Sequence, residues 1–308
     1  MKKLMILLLV PCLIVAQEFK IEHKINEDKT VDFTYKNLRP NTITAIINFG
    51  FLENASNQSK FVKKISKPEG RILSLKPIDS EQNIRFNYSY SYFNYNINPK
   101  IDMDFIYILP YKKETQMYVE ELSYLGSTYS NQTEPKGWKS YSFVSDETQE
   151  IYAVRKGTVV EVIRDYIPDT SKTFTFYKKM NSVKIEHNDG TIALYSGFDK
   201  NKINVNVGDV VYPQFNSLGE TIIYDNRGKH RINFTLFYFS LKEGVRMSNI
   251  STNSEVEDIY ITPSFYQNSE SVKLKKEFFY ESDFDDKTLF QNFNKRQIKK
   301  YKKGNLSL

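Results

Sequence analysis

At 308 residues the chain is longer than a typical single domain and has room for two. Its one cysteine, Cys12, excludes an internal disulfide framework and a thiolate metal site, so stability has to come from burial, for which 40% hydrophobic residues with 22 Tyr and 22 Phe supply β-rich material. The net charge of +6 is modest, and with no recognisable nucleic-acid module it argues against a nucleic-acid partner.

The opening stretch, MKKLMILLLVPCLIVAQ, sets two lysines before an apolar run from Leu4 to Val15 that ends at Ala16-Gln17. The run is shorter than the roughly 20 apolar residues a spanning helix needs. It reads as a secretion signal over residues 1–16, leaving no transmembrane segment in the mature chain, which is then expected in a periplasm or outer cell envelope.

Residues 17–111 read as a β-sandwich domain. Val31, Phe33 and Tyr35 alternate with polar neighbours, as do Phe86, Tyr88, Tyr90 and Tyr92, and breakers fall at Arg39-Pro40-Asn41, Lys67-Pro68-Glu69-Gly70 and Asn98-Pro99. One face of each strand is buried and the other wet. An immunoglobulin-like sandwich and a small barrel both fit this pattern.

A second β domain is expected over 112–280. Its first part, to about Lys139, is polar and reads as irregular. After it, IYAVRKGTVVEVI reads as a strand pair broken near Gly157, and SVKIEHNDGTIALYSGF as a hairpin turning at Asn188-Asp189-Gly190. NVNVGDVVYP and HRINFTLFYF add strands, so the class is all-β. The last part, 281–308, is a basic tail whose end, KRQIKKYKKGNLSL, has six basic residues and no acid; it reads either as solvated and frayed or as a contact for anionic envelope polymers or lipid phosphates.

Five landmarks in order give the second domain a family resemblance: Leu109-Pro110-Tyr111, the run from Ile151 to Val160, His187-Asn188-Asp189-Gly190-Thr191, the run from Val205 to Val211, and Ile232-Asn233-Phe234. The order resembles the lysostaphin/LytM-type zinc peptidases, peptidoglycan endopeptidases in which a β-sandwich can precede a peptidase domain of the duplicated hybrid motif kind. The resemblance implies a His, an Asp and a second His on zinc, with two further histidines assisting proton transfer. Transferred residue by residue, those positions fail. The family's Ser-His falls on Ser130-Asn131, its Tyr-x-x-Asp-Phe ends on Ser142-Phe143, its Tyr-x-His falls on Tyr195-Ser196-Gly197, and its His-x-His-Phe falls on Arg231-Ile232-Asn233-Phe234. Asn131, Ser142 and Asn233 thus stand in place of the metal ligands, and Gly197 and Arg231 in place of the catalytic histidines. Zinc is expected to be absent.

The chain has three histidines, His23, His187 and His230. His187 is expected to be structural, and His230 to face away from Arg231 and Asn233, since neighbouring strand side chains point to opposite faces. The expected function is a catalytically inactive, peptidase-like envelope module that binds peptidoglycan or regulates a cell-wall amidase. The alternatives are an active metallo-endopeptidase using His230 with Asp146 or Glu147, and a structural or adhesive surface protein. The old groove is expected to be lined by Tyr195, Arg231 and Asn233, with Arg231 either anchoring a ligand's acidic group or pairing internally with Asp146 or Glu147.

Overall fold

A computed structural model describes residues 18–55, 59–124, 134–171, 180–224 and 226–304. Residues 1–16, read as a secretion signal, and Asn131 lie outside the described residues. The first six strands are β1 (Phe19–Ile25), β2 (Val31–Asn37), β3 (Ile43–Glu53), β4 (Lys60–Ile65), β5 (Glu69–Leu75) and β6 (Arg85–Asn94). They form two antiparallel sheets of three, β1-β2-β5 and β4-β3-β6. The two sheets share no strand and face each other across one core, so the sandwich holds and the barrel does not. Val31, Phe33 and Tyr35 turn inward as their alternation requires, against Ile43, Ala45 and Ile47 of the facing sheet. Aromatic edges meet faces there: the Phe33 ring lies 5.6 Å from Phe49 at 89° and 5.0 Å from Tyr88 at 86°.

Fifteen strands follow: β7 (Ile106–Tyr107), β8 (Gln116–Glu121), β9 (Ser140–Ser145), β10 (Glu150–Tyr152), β11 (Gly157–Ile163), β12 (Ser182–Glu186), β13 (Ile192–Ser196), β14 (Phe198–Ile203), β15 (Val210–Val211), β16 (Ser217–Ile223), β17 (His230–Leu241), β18 (Val256–Tyr260), β19 (Ser264–Gln267), β20 (Glu270–Val272) and β21 (Phe278–Glu281). The main sheet runs β15-β11-β12-β13-β17-β9-β8-β21, with β18 beside the far half of β17. The hairpin expected at Asn188-Asp189-Gly190 joins β12 to β13, where Gly190 takes φ 93°. One face of the sheet is the second core, built from Met117, Val119, Tyr141, Phe143, Ile232 and Phe234 among others.

Three sequence expectations need correction. The stretch taken as irregular up to Lys139 contains β8, which pairs with β9 on one side and β21 on the other. The boundary at 111 falls inside the second core, because Phe105, Tyr107, Leu109 and Tyr111 are buried in it and β7 pairs in parallel with β19. The tail is not frayed as far as it is described. Glu281 ends β21, and two short helices, α1 (Asp286–Leu289) and α2 (Lys295–Lys302), dock onto the β domain through Phe293 and Tyr301, with Phe290 packed against both rings. Aromatic residues spaced among the lysines supply the apolar contact that a purely charged tail would lack.

The two cores are joined. Ile46, Phe93, Ile97 and Ile250 form a small buried cluster between them, and the Tyr95 ring stacks on Phe239 at 5.0 Å and 8°. Asn98 Oδ1 accepts from Leu241 N at 3.0 Å and from Ser240 Oγ at 2.8 Å, while Thr42 N donates to Glu186 Oε2 at 2.7 Å. Burial pushes the Glu186 carboxyl above its usual range, and the Thr42 N–H opposes that shift.

Candidate functional site

Side chains alternate across a strand, so the residues between the core-facing ones share the outer face of the sheet. The register of β8, β9, β17, β13 and β12 places Glu120, Ser142, Asn233, Ser196 and Ser182 in one row across that face. The next row carries Phe279, Tyr118, Val144 and Arg231. Ser142 and Asn233, which the sequence put at two metal-ligand positions, are therefore direct cross-strand neighbours, with Arg231 two residues from Asn233 on the same strand and diagonal to Ser142.

Ser142 and Arg231 are buried, whereas Asn233, Ser196, Tyr118 and Glu120 are half-buried and Phe279 is exposed. Ser142 is 0% and Arg231 6% exposed. Arg231 Nη1 lies 3.8 Å from Glu120 Oε2, so an acidic neighbour comes from β8, where one of the two sequence readings named Asp146 or Glu147. Asp146 is held instead by Lys229. Among the described residues Ser142 Oγ and Asn233 Oδ1 are buried without a hydrogen-bond partner, and Asn233 Nδ2 donates to the weak acceptor Met180 Sδ at 3.5 Å. Leaving a buried polar atom unsatisfied costs about 1–3 kcal/mol, so two adjacent ones mark a place that a donor from elsewhere would relieve.

Gly197 ends the β13 hairpin with φ 128°, and a Cβ there would sit 2.5 Å from Arg231 O. On this backbone no side chain fits the position that the resemblance assigns to a catalytic histidine. Tyr195 corrects the groove expectation. It is fully buried on the core side of β13, with its hydroxyl accepting from Val154 N at 2.8 Å, and burial raises its phenol well above the usual range. It holds the sheet to the loop after β10 and lines no groove.

Zinc, which the resemblance implies, does not fit these donors. A serine hydroxyl and a carboxamide are neutral oxygen ligands, weak beside imidazole and carboxylate, and the Arg231 guanidinium adds a fixed positive charge next to them. His230 stands at the start of β17, with Nδ1 3.4 Å from both Thr148 Oγ1 and Thr221 O. Among the described residues it has no hydrogen bond to Asp146 or Glu147.

A second polar cluster lies in the interior. Arg155, 3% exposed, gives Nη1 to Asp189 Oδ2 at 2.7 Å and Nε to Asn292 Oδ1 at 2.6 Å, with its guanidinium 3.8 Å above the Phe105 ring. His187 Nδ1 lies 2.8 Å from Thr191 Oγ1. Burial first, and then the nearby Arg155 cation, push the His187 imidazole down to about 3. Burial works to raise Asp189, but Arg155 and the Thr191 N–H and hydroxyl outweigh it and hold the carboxyl below its ordinary value. This cluster ties the hairpin to the C-terminal segment, and His187 has the structural surroundings expected for it.

Sequence reasoning passed over Glu120, Tyr118, Ser196 and Ser182. Only Ser196 was within reach, as the middle residue of the Tyr195-Ser196-Gly197 triplet; Ser182 joins the site through pairing register, and so do Tyr118 and Glu120, whose strand β8 is concealed by its charged flanks.

No protein-family model matches the chain, and no curated protein sequence matches it. Among solved structures it is similar to the M23 metalloprotease pseudoalterin from the deep sea, with 15% identity, a TM-score of 0.32, and coverage of 58% of this chain and 99% of that one. A likeness this loose transfers no residue roles.

Proposed function

We propose that the chain is a secreted bacterial envelope protein whose second β domain is a peptidase-like module without zinc hydrolysis, binding peptidoglycan or a cell-wall amidase through the outer face of its main sheet. The reading rests on the landmarks in the sequence together with one observation. Ser142 and Asn233, at two of the metal-ligand positions of the resemblance, lie side by side with unfilled hydrogen-bonding capacity and Arg231 beside them. Arginine keeps a positive centre where the resemblance places a metal, and its planar fork suits the carboxylates of a peptide. A neutral serine and carboxamide add hydrogen bonds without activating water.

The test is co-sedimentation of the purified protein with peptidoglycan sacculi, alongside amidase capture from an envelope extract. Replacing Arg231 by Ala should weaken sacculus or amidase binding by about 1–3 kcal/mol if the guanidinium meets the ligand desolvated. Neither sacculus binding nor amidase capture by the unmodified protein, or unchanged affinity in a folded Arg231→Ala variant, would contradict the proposal.

A further inference from the structure

The C-terminal helix α2 is amphipathic in an unusual division of labour. Gln297, Ile298 and Tyr301 are half-buried against the β domain, whereas Lys295, Arg296, Lys299, Lys300, Lys302 and Lys303 are all exposed. The inward side is pinned at several points. Tyr301 lies 5.4 Å from Phe215, Phe293 lies 5.0 Å from Tyr212, and Lys156 Nζ donates to Gln297 Oε1 at 3.0 Å. Asn294 caps the helix, accepting from Gln297 N at 2.9 Å. Of the six cations, only Lys302 forms an ion pair among the described residues, with Asp286 at 2.8 Å. The other charges form an exposed ridge along a docked helix, and the cations of the last turn interact favourably with the helix dipole.

We propose that this ridge is a docking surface for an anionic phospholipid bilayer, engaged at the level of the headgroups. The inward use of Phe290, Phe293 and Tyr301 favours a bilayer over a threaded polymer. A polymer chain is gripped in a groove with exposed aromatic faces, and Phe290, Phe293 and Tyr301 are spent on docking the helix. A broad anionic surface can meet the exposed cations of the helix together. Because no apolar side is left over to insert, attachment is reversible and strongly dependent on salt. The proposal is independent of the sheet-face site.

Sedimentation of the full chain with vesicles of phosphatidylglycerol and phosphatidylcholine, against phosphatidylcholine alone, tests it. Binding is expected to the anionic vesicles at low ionic strength, falling by at least about tenfold at high salt. A similar loss is expected in a variant carrying Lys295→Gln, Arg296→Gln, Lys299→Gln and Lys300→Gln, which leaves the docking residues and the Lys302–Asp286 pair intact; circular dichroism checks its fold. A glutamate set at the same four positions should abolish binding. Equal binding to neutral vesicles, no binding to either, retention by the folded glutamine variant, or binding to soluble polyphosphate but not to vesicles would each overturn the proposal.

Discussion

Gly197 illustrates how a single residue restricts the chemistry of the outer face. Its φ of 128° and the 2.5 Å approach of Arg231 O to any added Cβ leave no room for a side chain. Gly197→Ala should cost about 1–3 kcal/mol, read as a lowered midpoint in urea unfolding, and an unchanged midpoint would mean that the turn relaxes freely. The substitution of Gly at this place was legible in the sequence, but the reason a histidine could not simply be restored was not, because it depends on the backbone of β17 lying against the turn. His187 allows a second test. Its folded pKa, about 3, lies below its ordinary value of 6.5, so the unfolded chain takes up the proton first as the pH falls. The stability that the neutral buried ring contributes is full above 6.5 and is lost progressively as pH drops towards about 3. Urea midpoints across that window should decline more steeply for the unmodified protein than for His187→Gln; parallel slopes would place the ring's titration elsewhere.

At the scale of elements, β8 marks the limit of reading by pattern. Hairpin β12–β13 was visible because hydrophobic runs flank an Asp-Gly turn, and β2 and β6 because their alternation is clean. In β8 the inward residues are only Met117 and Val119, flanked by Gln116, Glu120 and Glu121, too short an alternation to stand out from a loop. Its pairing with β9 nonetheless brings Glu120 opposite Ser142 and within reach of Arg231. Met117 is fully buried, so Met117→Ala should destabilise the second domain by about 2–5 kcal/mol. Thermal unfolding that leaves the transition unmoved would show that β8 is peripheral to the core. The order of the tail stayed open in the sequence for a related reason: its lysines dominate the composition, whereas its docking depends on three rings and on Asn292 reaching Arg155.

Across the whole molecule, the sandwich and the second β domain meet through a dry cluster around Ile46 and Ile250, the Tyr95–Phe239 stack and the Asn98 and Glu186 hydrogen bonds. Burying four apolar side chains contributes about 1.5–3 kcal/mol each, enough to couple the domains while the outer sheet face, on the far side from the second core, carries the Ser142, Asn233 and Arg231 constellation. The all-β class and the sandwich were legible from strand patterning, whereas the role of the outer face depends on register across five strands that no local motif encodes. The central proposal is that this face recognises ligands with a guanidinium and neutral polar groups and holds no zinc. Elemental analysis of the protein purified without chelators and dialysed against zinc tests it most directly. The account predicts no more zinc than in a buffer blank, and near-stoichiometric zinc that is lost on replacing Asn233 or His230 would contradict it.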